Sequence, residues 1–171
     1  VTRVWATKTD AERIRWVFDP CVGVGPLVFG MNPGEISSKL DGFPGSFLRR
    51  DGVIHYGYFH SLGVTVYFKS ERLFCVAIDA RTGPQVLYGQ VALVGRVPSE
   101  LEGEFIAQAS SDGIDDFCAT GMSDIGSDEL GVLLGVQRSG DILLSRPIFL
   151  SREYSKSICD EQVSSIPAEE W

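Results

Sequence analysis

The sequence predicts an α+β fold in which two tandem helix-plus-antiparallel-sheet halves form one continuous or side-by-side sheet, with helices on one face. Three observations predict it. Two short apolar strands each run through a glycine break into a capped helix start. Each helix is followed by a hairpin whose arms are mostly apolar. Leu62-Gly63-Val64 and Leu130-Gly131-Val132 open the two hairpins at about the same distance from their helices. The 171 residues read as a single domain, with one pseudo-repeat over about 22–82, a second over about 85–150 and a polar, loosely packed tail over 151–171. Chance similarity in α+β punctuation is the alternative to a structural duplication.

In the first half, Leu27 to Phe29 form a short strand, and Gly30 breaks it. Asn32 then takes the N-cap, Pro33 the first helical position and Glu35 the third, a capping-box arrangement that satisfies otherwise orphaned amides. Ile36 and Leu40, four apart, share a face of this short helix. After a glycine- and aromatic-rich stretch, Val64, Val66 and Phe68 alternate with Thr65 and Tyr67; Lys69 to Arg72 turn the chain, and Leu73 to Ile78 return it. A further strand covers Gln85 to Val94.

The second half repeats the order. Gly95 breaks the chain after Val91 to Val94, Ser99 and Glu102 have capping-box spacing, and Leu101, Phe105 and Ala109 line one helix face. Val132 to Val136 and Ile142 to Leu150 make the second hairpin about the turn Arg138-Ser139-Gly140-Asp141. Pro147 suggests that the last arm is an edge strand or bulged, because proline donates no ladder hydrogen bond.

With 44% hydrophobic residues and 22% charged, the chain can bury enough apolar surface to fold. Its net charge of −8 repels a phosphate backbone, so nucleic acid is a poor partner and a basic protein surface a better one. No apolar run reaches the roughly 20 residues of a membrane-spanning helix. The opening lacks a signal-peptide core, so the chain reads as cytoplasmic and without a membrane partner. Cys21, Cys75, Cys118 and Cys159 have neither C-x-x-C spacing nor a nearby histidine, and read as buried free thiols. Two disulfides in a secreted chain are the alternative.

No nucleophile elbow, metalloprotease helix, Walker loop or dinucleotide fingerprint occurs, so no catalytic residue, metal or cofactor is expected. His55 and His60, five apart, suit neither one helix face nor one strand face as metal partners. Two features remain. Residues 110–129 carry Asp112, Asp115, Asp116, Asp124, Asp128 and Glu129 without a single Lys or Arg. They lack the calcium-loop arrangement and read either as a solvated loop or as an electrostatic docking surface for a basic partner. Tyr56, Tyr58 and Phe59, with Tyr67, have the chemistry of interface anchors.

The segment GVGPLVFGMNPGEISSKL resembles the opening of many small bacterial immunity proteins, through Gly25, Pro26, Leu27, Gly30, Met31, Glu35, Ile36 and Leu40. Asn32 replaces their usual Thr or Ser, and Gly42 is displaced by one position. Similar segments occur in outer-membrane assembly lipoproteins. The two-half plan is similar to that of beta-lactamase inhibitory proteins, whose tandem repeats present a concave sheet to an enzyme. The resemblance implies an immunity protein of an interbacterial competition system, neutralising a cognate toxin, and the net charge of −8 suits a toxin whose active-site cleft is basic. A small-molecule or peptide-binding accessory domain, and an enzyme without a recognisable motif, are the alternatives.

Overall fold

A computed structural model describes residues 4–40, 46–50, 53–120, 124–160 and 165–170. The chain is α+β, and its two halves share one order of elements. The first comprises β1 (Arg15–Asp19), two short strands β2 (Gly23–Val24) and β3 (Leu27–Val28), helix α1 (Pro33–Lys39), and a meander of β4 (Ser46–Arg50), β5 (Val53–Phe59), β6 (Val64–Lys69) and β7 (Arg72–Ile78). The second comprises β8 (Gln85–Tyr88), β9 (Val91–Ala92), α2 (Pro98–Ser111), and a meander of β10 (Phe117–Ala119), β11 (Ile125–Ser127), β12 (Val132–Ser139) and β13 (Ile142–Leu150). A short helix α3 (Arg152–Ser155) and a 3-10 turn (Ala168–Glu170) follow.

The two meanders join into one eight-stranded sheet, ordered β10-β11-β12-β13-β7-β6-β5-β4. The seam is the antiparallel β13–β7 pair, where Ile148, Phe149 and Leu150 face Ala77, Val76 and Cys75. A second, five-stranded sheet, β3-β2-β1-β8-β9, is built around a parallel β1–β8 pair, so each half contributes its first strand to it.

The glycines flagged in the sequence explain why the halves match. Gly63 and Gly131 have φ +64° and +70°, in the left-handed region that glycine enters at little cost. Each donates its amide four residues back, to the Phe59 and Ser127 carbonyls, and each accepts from the end of its own hairpin, from the Asp79 and Leu150 amides. An alanine Cβ at Gly131 would stand 2.7 Å from the Leu150 carbonyl oxygen, and at Gly63 2.6 Å from the Gly83 nitrogen.

Strand alternation divides the core. Val64, Val66, Phe68, Val76, Ile78, Val132, Leu134 and Phe149 point to one face, where they pack with α1 (Ile36, Leu40), α2 (Leu101, Phe105, Ala109) and the small sheet (Trp16, Phe18, Val86, Tyr88). The other face carries Tyr67, Cys75, Ala77, Leu133, Ile148 and Leu150, covered in part by Ile158 and Ile166 of the C-terminal segment. The described part of the polar tail, expected to pack loosely, thus places Ile158 and Ile166 in a core while most of its other residues stay partly or fully exposed. Cys118 and Cys159, expected as free thiols, form a disulfide that pins this segment to β10; Cys21 and Cys75 are free and buried.

The first helix is capped as its sequence requires: the Glu35 amide donates to the Asn32 side chain and the Asn32 amide to the Glu35 carboxylate. The second begins two residues earlier than its apparent capping box, with Val97 at the N-cap and Pro98 in the first turn, so Ser99 lies inside the helix. Pro147 is in an interior strand. Two residues before it, Ser145 turns its amide and carbonyl away from β12, towards Arg96 and Gly95. Pro147 has the same orientation, and pairing with β7 starts only at Ile148, so the amide it lacks has no ladder to join. Among the described residues, no helix is long and apolar enough to cross a membrane.

Candidate functional site

The tail-side face of the eight-stranded sheet gathers polar and aromatic groups around one cavity. On β5, the register with β4 passes from Leu48–Tyr56 to Arg49–Ile54, leaving His55 as an extra residue. Beyond that bulge Tyr56 and Tyr58 alternate onto the tail side. Tyr56 faces Tyr67 across the β5–β6 pair, with ring centroids 5.6 Å apart, and Tyr58 faces Thr65. With Asp79, at the end of β7, and Arg146, from β13, these residues line an open cavity of about 280 Å³, closed on one side by Glu169. His60 stands edge-on to Tyr58 at 4.1 Å, and His55 lies 3.6 Å from the Glu169 carboxylate.

Arg146 is the charged centre of this face. Its side chain is 21% exposed and makes an ion pair with Glu170, whose own side chain is 2% exposed. The Tyr67 hydroxyl donates to the other Glu170 oxygen. Burial pushes the Arg146 guanidinium below its ordinary range and the Tyr67 hydroxyl and Cys75 thiol above theirs. At Asp79 burial works to raise the pKa, but hydrogen bonds outweigh it. Gln137 Nε2 donates at 2.8 Å, the Thr82 amide and hydroxyl at 2.8 and 2.9 Å, and the Arg81 amide at 2.9 Å, which together hold the carboxyl below the usual range. Asp79 is thus an ionised, fully engaged wall of the cavity.

The acidic run does not converge on this face. Asp112 caps α2 and accepts from the Tyr88 hydroxyl at 2.6 Å. Asp116 accepts from Ser127 Oγ at 2.6 Å and from the Glu129 amide at 2.7 Å, and Asp128 accepts from the Cys159 amide at 3.3 Å. Asp124 is half-buried in a niche of about 50 Å³ on the helix side, beside Leu101, Glu102 and Leu134, and burial raises its pKa. Asp115 and Glu129 are exposed. Four strand spacings separate β11 from β6, about 19 Å at the usual strand separation, so the carboxylates and the tyrosines form separate features.

Of the four aromatic candidates, Tyr56 and Tyr58 are accessible in the cavity, and Tyr67 lies beneath Glu170. Phe59 is corrected: it is 2% exposed and faces the helices, because strand alternation turns it away from its neighbour Tyr58. Arg146, Asp79 and the two glutamates of the C-terminal turn were not singled out from sequence. The available signal was a lone arginine in the apolar arm Ile142 to Leu150, since a charge there needs a partner from elsewhere in the chain.

Among the described residues, no group of three or more His, Cys, Asp or Glu side chains could hold a metal ion. No family model, curated protein or solved structure matches the chain.

Proposed function

We propose that this chain is a non-catalytic inhibitor of the immunity-protein kind, which binds a cognate bacterial toxin and covers its active site with the tail-side face of the eight-stranded sheet. The observation that carries the reading is the convergence of Tyr56 and Tyr58 of β5 with Arg146 of β13 in one open cavity, over the buried ring of Tyr67. Tyrosine and arginine are the residues that dominate binding energy at protein interfaces, and strands hold such anchors more firmly than loops do. A small-molecule site suits the cavity less well, since it is open to solvent.

The net charge of −8 supports a toxin with a basic cleft, by speeding encounter. Because Asp112, Asp116 and Asp128 are engaged within the fold, they contribute to that attraction as a long-range field, while Asp115 and Glu129 are available for contact. The Cys118–Cys159 disulfide supports action in an oxidising compartment in preference to the cytoplasm read from the sequence.

The test is co-expression of a suspected toxin with this chain, scoring rescue of growth and recovery of the complex. Wild type should rescue, and Tyr56→Ala with Tyr58→Ala should lose at least tenfold in affinity, about 1.4 kcal/mol. Undiminished rescue and affinity in the double variant would move the interface elsewhere, and turnover of a substrate by the purified chain would overturn the non-catalytic reading.

A further inference from the structure

We propose that the pocket formed by Arg146 and Tyr67 is a carboxylate-recognition site for an acidic segment of the bound protein, and that Glu170 of the chain's own C-terminal turn is its internal occupant. The proposal rests on the tail-side face being the partner-binding face. It reverses the charge expected there, because the chain as a whole is strongly acidic yet the centre of this face is a cation.

Arg146 projects from an interior strand into a largely desolvated position, where a guanidinium needs a counter-ion. Among the described residues Glu170 is its one ion-pair partner. Asp79 shares the cavity, but both its oxygens are taken by Gln137, Thr82 and Arg81. Glu170 is held at each oxygen by a different strand, one by Tyr67 of β6 and the other by Arg146 of β13. That two-point grip is how a protein selects a carboxylate over a neutral group.

The occupant is lightly anchored compared with the site. Tyr67 is fixed by ladders to β5 and β7, and Arg146 by its pairing with Gly135 of β12, whereas the described end of the chain, residues 165–170, adds to the second core only Ile166. Beside it the cavity stays open between Tyr56 and Tyr58, with room for the aromatic or aliphatic neighbour of an incoming acid. A partner segment presenting Asp or Glu next to an apolar residue would replace Glu170 group for group, leaving no buried charge unpaired.

A tethered occupant competes at an effective concentration on the order of millimolar, so weakening it should unmask the site. The probe is a fluorescently labelled, C-terminally amidated peptide with the sequence of residues 165–170, titrated into the full-length oxidised chain and followed by anisotropy. Glu170→Gln should bind it at least ~tenfold more tightly than wild type. Binding should be lost when the peptide carries Gln in place of its last Glu, and when Arg146→Met is added to Glu170→Gln. Because Arg146→Met could impair folding, Tyr67→Phe in the Glu170→Gln chain is the second arm: it keeps the ring, removes one donor and should weaken binding severalfold. Equal binding by wild type and Glu170→Gln, or equal binding of the Glu and Gln peptides, would overturn the proposal. Failure to find a rescued toxin would count against the inhibitor reading and leave this binding result standing.

Discussion

Replacing Cys118 and Cys159 together by alanine should destabilise the protein by about 4 kcal/mol at 25 °C. The disulfide spans a sequence separation of 41 residues, and the loop-entropy relation for a closure of that length gives this figure. The Cα atoms are 5.8 Å apart, within the normal range, so the native fold needs no adjustment to form the bond. For a chain of this size the loss corresponds to a fall in Tm of roughly 8–16 °C. Equilibrium unfolding in urea, with linear extrapolation, measures it directly. The m-value should rise in the variant, because the uncrosslinked denatured chain exposes more surface. A thiol titration of the unreduced wild type in denaturant should find the two free cysteines, Cys21 and Cys75, and no more. Four reactive thiols, or a stability difference below about 1 kcal/mol, would refute the reasoning.

Gly131→Ala forces a side chain into the left-handed region and against the Leu150 carbonyl, and should cost about 2–5 kcal/mol in the same unfolding assay. Gly63→Ala should behave alike, since it occupies the corresponding turn of the other half. The β6–β7 turn bends through Ser70 and Glu71 at φ +49° and +60°, the type I′ geometry that favours Asn-Gly. Ser70→Asn with Glu71→Gly should therefore raise stability by about 1–2 kcal/mol. Because the Asp79 pKa is depressed in the folded state, its ionised form adds stability above the ordinary aspartate range, and that contribution is lost as pH falls through the folded value. Unfolding measured from about pH 5 down to pH 2 should show a shallower decline for Asp79→Asn than for wild type, and identical slopes would contradict the assignment.

The halves, their helices and both hairpins were legible because each is written locally. Asn32-Pro33 with Glu35 marks a helix start, Leu101, Phe105 and Ala109 mark its buried stripe, and Val64, Val66 and Phe68 mark a half-buried strand. Tertiary pairing was less legible. That β13 would meet β7, making Pro147 an interior residue, depends on how the meanders join, and neither sequence carries that information alone. The site was visible only in part. Tyr56 and Tyr58 could be picked out by residue type, but Arg146 acquires its meaning from Glu170, 24 residues away, and the Cys118–Cys159 bond from a tail that reads as polar. The acidic run drew attention through composition, whereas the fold employs several of its members as hydrogen-bond acceptors for neighbouring segments.

The parallel β1–β8 pair has a consequence for the order in which the protein can mature during synthesis. The first meander is contiguous in sequence and can assemble as soon as it leaves the ribosome. Strand β1, however, waits for Gln85 to Leu87 to emerge before its parallel neighbour exists, and β7 waits until Ile148 to Leu150 for its partner across the seam. A nascent chain of which only about the first 84 residues have emerged therefore exposes two unpaired strand edges at once, which a chaperone can shield.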